Sequence, residues 1–201
     1  MFDGFLSDPL IGKVSAALEP LEIYDDSDKI KREGQRPASV LMPLIPRGDQ
    51  LMVLLTRRPM HMPSHAGQIS FPGGRTEAGE TAHAGAIRET HEEVGIAGKD
   101  IHLLGRLPSF DAVSLFRVTP FVGLINPAAK IIPDPGEVDE AFELPFSFLM
   151  DPNNHVERRI DFDGRMHTLY DMPYPNQDDT SYHVWGMTAM ILYRLYERAF
   201  Q

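Results

Sequence analysis

Glu89, Glu92 and Glu93 crowd into five residues of RETHEEVG (88–95), beside Arg88 and just before Gly95. Carboxylates at that spacing have two chemical uses: a solvated charged face, or hard oxygen ligands for a divalent cation. On a helix turning about 100° per residue, with Glu89 at zero, Glu93 falls at roughly 40° and Glu92 at roughly 300°. Ile87 and Val94 lie opposite, at roughly 160° and 140°, so the spacing predicts one buried side and three carboxylates on the other. Glu89 and Glu93 stand four apart as a like-charge pair, in the last turns where the helix dipole disfavours anions. No lysine follows until Lys99. A bound Mg²⁺ or Mn²⁺ offsets that repulsion. Helix geometry by itself leaves both uses open. His91, at roughly 200°, points to the other flank and is not read as a ligand.

The preceding loop, FPGGRTEAGE, places Pro72, Gly73, Gly74 and Gly79 directly before this helix. Glycines let a backbone approach a ligand closely, and the loop delivers the chain to a helix start. A glycine-rich turn and cap explains the loop alone. Loop and helix together make a more specific pattern.

Those side chains need a frame. SVLMPLI and LMVLLT read as two strands joined by PRGDQ, whose Arg47-Gly48-Asp49 is a hairpin turn. A helix runs from about Thr81 to Val94. IHLLGRL and FRVTPFVGLI follow as strands, the second half-buried; PDPGEVDEAFELPFSFLMDP reads as a loop leading into a short strand and helix. RRIDF and RMHTLYDM flank Asp163-Gly164, a hairpin signal. From Tyr182 through WGMTAMILYRLYERA the pattern predicts a closing amphipathic helix, with Trp185, Met187 and Met190 in the core. Residues 1–35 form an N-terminal helical extension, with DPLIGKVSAAL as a short helix and a polar connector after it. Residues 36–201 form a single α/β domain.

Composition narrows the partners. The chain of 201 residues has no cysteine, which excludes disulfides, zinc–thiolate sites and cysteine nucleophiles. It shows no secretory signal pattern and no apolar run long enough for a membrane span, so a cytoplasmic protein is expected. A net charge of −10 argues against extended nucleic-acid binding and implies that any phosphate site depends on metal.

Gly74, five residues, Glu80, seven residues, then Arg88-Glu89-Thr90-His91-Glu92-Glu93-Val94-Gly95-Ile96 resembles the Nudix box, G-x5-E-x7-R-E-U-x-E-E-x-G-U, with U a bulky apolar residue. Thr90, at the first U, is the one departure; it projects toward the buried side. The resemblance implies the Nudix fold, a mixed β-sheet sandwiched between α-helices and carrying a loop–helix–loop, and hydrolysis of a nucleoside diphosphate linked to another group. It implies that Glu89 and Glu93 are the main ligands of Mg²⁺ or Mn²⁺, with Glu92 a third ligand or holder of a bridging water and the Gly73 carbonyl a further one. Gly74 would lie against the substrate, and Arg88 would orient the carboxylates, paired with Glu80. Glu137 and Glu140, outside the box, are the candidates for general base.

LLTRRPMHMPSHAGQISFPGG is similar to the segment before the box in coenzyme A pyrophosphatases, L-L-T-x-R-[SA]-x3-R-x3-G-x3-F-P-G-G. Leu54, Leu55, Thr56, Arg58, Gly67 and Phe71 to Gly74 match; Pro59 replaces a small residue and Pro63 replaces the second arginine. YHVWGMTAMIL also resembles the end of that subfamily. This resemblance implies a CoA-like small nucleotide as substrate, with Arg57 and Arg58 on its phosphates; a homodimer is also compatible. The alternatives are another nucleoside diphosphate derivative, such as ADP-ribose or NADH, and a ligand-sensing Nudix domain without turnover.

Overall fold

In the computed structural model, which describes residues 2–21, 33–61, 65–112, 115–162, 164–175 and 181–201, two helices open the chain, α1 (Asp3–Leu6) and α2 (Pro9–Ala16). Asp8 caps α2 by accepting from the Leu10 N–H, and Pro9 occupies the first turn, where its missing N–H costs nothing. Most of the polar connector, with Pro63 and Asp163, lies outside the described residues.

Strands β1 (Arg36–Arg47) and β2 (Gln50–Arg57) form the expected hairpin, with Arg47 opposite Gln50 across the Gly48-Asp49 turn. Short strands β3 (Ile69–Ser70) and β4 (Gly73–Arg75) lead into helix α3 (Ala82–Val94). Then come β5 (Ile101–Arg106), β6 (Phe110–Asp111), β7 (Phe116–Ile125), β8 (Glu140–Pro145) and the single turn α4 (Phe146–Leu149). The chain ends with β9 (Val156–Phe162), β10 (Arg165–Pro175), β11 (Ser181–Trp185) and α5 (Gly186–Phe200).

The main sheet has the order β3-β2-β1-β7-β5, with β4 beside β1, β6 beside β7 and β8 beside β2. It is mixed: β1 and β7 run parallel, and the remaining pairs are antiparallel. Its strands are apolar on both faces because both faces are covered. Leu41, Ile45, Leu54, Phe121 and Ile125 pack with Ala86 and Val94 of α3. The alternate residues Met42, Leu44, Val53, Leu55, Val122 and Leu124 pack on the other side with Ile11 and Val14 of α2 and Ile191, Leu192 and Leu195 of α5. This is the sandwich expected. α2 is joined to the same core, and Arg198 donates to the Ala17 carbonyl at 2.7 Å.

Three sequence expectations change. The strand expected to be half-buried, β7, is buried from Arg117 to Ile125, because it is a central strand paired with β1, β5 and β6. The closing helix starts at Gly186, not Tyr182: residues 181–185 are strand β11, paired with β10 in a second, three-stranded sheet, β11-β10-β9. The alternation of core-facing Tyr182 and Val184 with His183 and Trp185 is the strand period, and Gly186, at φ +63°, makes the corner. Trp185 is therefore not core; it is 47% exposed, whereas Met187 and Met190 do pack against the core.

Candidate active site

Helix α3 starts where Thr81 accepts from the Ala84 N–H and stops at Gly95, whose left-handed conformation directs its N–H back to the His91 carbonyl at 2.9 Å. Its buried stripe is Gly85, Ala86, Thr90, Glu93 and Val94. Thr90 is buried as expected, and its hydroxyl donates to the Ala86 carbonyl at 2.7 Å. Relative to the expectation drawn from Ile87 and Val94, the stripe is rotated toward the acids and takes in Glu93. The three carboxylates therefore do not share a solvated face. Glu93 is 4% exposed, while the side chain of Glu89 is 15% exposed and that of Glu92 50%.

The glycine loop closes on this helix. A Cβ on Gly74 would stand 2.6 Å from the carboxylate carbon of Glu89, so only glycine leaves that acid its place. Gly73, at φ +154°, lies so close to β1 that a Cβ would meet the Ser39 carbonyl oxygen at 2.4 Å. The backbone of Gly73 hydrogen-bonds Glu93.

Arg88 is the hub. Its Nε and Nη2 donate to the two oxygens of Glu80 at 3.0 and 3.1 Å, its Nη1 donates to Glu89 Oε1 and Glu92 Oε2 at 2.8 Å each, and Nη2 also reaches the Arg75 carbonyl at 3.0 Å. The hydrogen bonds from Arg88 hold the Glu80 carboxyl below its ordinary range, and those acids raise the guanidinium further. Glu89 is raised, first by burial. Glu93 is pushed up to about 8, first by burial and then by the charge of Glu89; the charge of Arg58 opposes the rise.

Glu93 Oε2 is buried without a hydrogen bond, an acceptor with no donor. Arg88 takes one oxygen each of Glu89 and Glu92, so Glu89 Oε2 and Glu92 Oε1 have no hydrogen bond among the described residues. Among the described residues no three acidic or histidine side chains already converge on one point. The donor set nevertheless fits a hard cation: three carboxylates on adjacent turns, each with an uncommitted oxygen, two of them raised first by burial and then by neighbouring carboxylates.

The residues outside the box separate by their partners. Both oxygens of Glu140 are engaged, one accepting from the Tyr182 hydroxyl at 2.8 Å and the other paired with Arg57 at 3.0 Å. Glu137 is exposed, and its charge raises both Glu89 and Glu93. It is carried by a turn in which the N–H groups of Glu137 and Val138 donate to the Asp134 carbonyl. Arg57 is spanned by Asp139 and Glu140, whereas Arg58 lies close enough to act on Glu93, with its own Nε buried and unpaired. Arg75 is a residue that sequence reasoning missed. It lines a cleft of about 440 Å³ with Glu77, Ala78 and Glu89, and its exposed guanidinium has no acidic partner among the described residues. Its position directly after Gly74, at the end of a strand that feeds the acidic helix, was the available signal.

Residues 35–162 match the family model of the NUDIX domain. The chain is 38% identical over 162 residues to a protein of Enterobacter sp. (strain 638) described as an uncharacterized Nudix hydrolase NudL, covering 80% of this chain and 81% of that one. The corresponding protein of Salmonella dublin is 37% identical over 166 residues, covering 82% and 83%. Among solved structures, a MutT/nudix family protein from Enterococcus faecalis superposes with a TM-score of 0.54 at 19% identity, over 84% of this chain and 63% of that one, a likeness of fold. This chain belongs to the Nudix hydrolase family. No helix among the described residues is long and apolar enough to cross a membrane.

Proposed function

We propose that the chain is a metal-dependent pyrophosphatase that hydrolyses the diphosphate of coenzyme A or acyl-CoA to 3′,5′-ADP and 4′-phosphopantetheine or its acylated form. One observation carries the reading: the buried, donorless oxygen of Glu93 beside Glu89, under the Gly73-Gly74 turn and facing Arg58. The substrate class rests on the segment that contributes Arg58, whose pattern from Leu54 to Gly74 resembles that of the coenzyme A pyrophosphatases.

Glu89, Glu92 and Glu93, with the Gly73 carbonyl, would hold Mg²⁺ or Mn²⁺. Such a cation neutralises diphosphate oxygens and makes a bound water easier to deprotonate. The chain supplies the rest. Arg88, fixed by Glu80, keeps Glu89 and Glu92 in register and spreads their charge. Arg58, which acts on Glu93, and Arg75, which lines the cleft beside Glu89, offer guanidinium groups to the phosphates. Glu137, exposed beside the carboxylates, takes the proton of the attacking water as its oxygen bonds to phosphorus and the P–O–P bridge breaks toward the leaving phosphate. Glu140 is left to structure, since both of its oxygens are occupied.

The test is product analysis with coenzyme A, acyl-CoA, ADP-ribose and NADH, each with Mg²⁺, with Mn²⁺ and with chelator. The expected result is metal-dependent 3′,5′-ADP from CoA or its thioesters, lost in Glu93→Gln and lowered by about 10²-fold or more in Glu137→Gln. Release from ADP-ribose or NADH alone would retain the chemistry and overturn the CoA assignment. Pro59 in place of a small residue, and Arg57 already committed to Asp139 and Glu140, are the features that make this comparison decisive.

A further inference from the structure

A second pocket lies on the outer face of the three-stranded sheet, mostly beyond the stretch that matches the family model. Arg158, Leu169, Tyr170, Asp171, His183 and Trp185 line an open depression of about 410 Å³. Strand register assembles it: Asp171 on the central strand stands opposite Trp185 on one neighbour, and Leu169 stands opposite Arg158 on the other.

Asp171 is the informative residue. Its side chain is only 5% exposed, and Oδ2 accepts from Arg158 Nη2 at 2.6 Å. Oδ1 is buried with no hydrogen bond; His183 Nδ1 stands at 3.6 Å, beyond hydrogen-bond reach. A buried carboxylate oxygen without a donor is costly, and a ligand that brings an N–H removes the cost. The donor should be neutral, because Arg158 already balances the carboxylate and repels an ammonium group. Arg158, largely exposed and with only Nη2 on Asp171, leaves donors for a ligand whose remainder is anionic. With Oδ2 taken, one N–H is wanted and not a pair, which suits the exocyclic amine of adenine better than the paired donors of guanine. Trp185, nearly half-exposed and without a ring partner among the described residues, supplies a face on which a flat base stacks.

We propose that this outer pocket binds the adenine of a nucleotide, with its exocyclic amine donating to Asp171 Oδ1 and its ring on Trp185. The base belongs either to the substrate or to a separate free nucleotide, and the pocket is argued independently of the coenzyme A reading.

Trp185 is the chain's single tryptophan, so its fluorescence reports on this pocket directly. The probe is 5′-AMP added to the full chain in chelator. Saturable quenching is expected, weakened roughly tenfold or more for purine riboside 5′-monophosphate, which lacks the amine. Asp171→Ala should weaken AMP similarly without affecting the desamino analogue, and Glu93→Gln, which removes hydrolysis, should leave the quenching in place. A KM for an adenine-containing substrate that rises in Asp171→Ala at constant kcat places the substrate's own base here; an unchanged KM places a free nucleotide. No saturable quenching, or equal quenching by the desamino analogue, overturns the proposal, and because that comparison is made on the wild-type chain it stands even if Asp171→Ala does not fold.

Discussion

At the scale of single residues, Glu93 is held where an acid is least comfortable. Its folded pKa, about 8, stands above its ordinary value of 4.5. Between those values the native state holds a proton that the unfolded chain releases. Its contribution to stability is therefore full below about pH 4.5, falls as pH rises and levels off above about 8. Urea midpoints in chelator should show Glu93→Gln more stable than wild type at pH 8.5, by about 2–4 kcal/mol, with the gap closing near pH 4.5. Parallel pH profiles for the two proteins would mean that Glu93 is not held protonated. The resemblance to the Nudix box implied Arg88 and Glu80 as partners, and they are in contact. The burial of Glu93 was not legible, because helix spacing gives an angle and not what packs on it; the Gly73 turn and Arg58, distant along the chain, cover that side.

At the scale of elements, the loop before α3 carries two adjacent glycines with different duties. A Cβ on Gly73 meets the backbone of β1, at the Ser39 carbonyl and at Val40 Cα, with φ in the region unfavourable to side chains. The nearest atoms a Cβ on Gly74 meets are those of the Glu89 carboxylate, the end of a flexible side chain, and no φ constraint applies. Gly73→Ala should thus lower stability by about 3 kcal/mol or more, while Gly74→Ala should cost roughly 1 kcal/mol or less and lose most activity by displacing Glu89. Thermal melts beside metal-dependent turnover separate the two, and equal loss of stability would refute the division. Strands β1 and β2 were legible as apolar runs joined by the turn signal PRGDQ, and helix α3 as an uninterrupted helical stretch between Thr81 and Gly95. Strand β11 was not, since YHVW is short and runs straight into a strong helical pattern; only its pairing with β10 fixes it as strand. Gly186 is the hinge, with open space around a would-be Cβ at φ +63°. Gly186→Ala should cost about 1–2 kcal/mol through backbone alone, read from the urea midpoint.

At the scale of the whole molecule, a chain with a net charge of −10 concentrates three acids and only a few cations at the site meant for a polyanion. The mixed sheet, covered on both faces, makes the site rigid, so repulsion among Glu89, Glu92 and Glu93 is relieved by protonation of Glu93 and not by movement of the helix. A cation bound to the native state alone then stabilises by mass action, about 2.7 kcal/mol at a hundredfold excess over its Kd. Wild-type Tm should rise with Mn²⁺ or Mg²⁺ and saturate, and chelator should reverse it. Glu93→Gln should start from a higher metal-free Tm at pH 8.5 and show little further rise. That reciprocal pattern distinguishes a built cation site from general screening of surface charge, which would lift both proteins equally and would follow ionic strength when a monovalent salt is used instead.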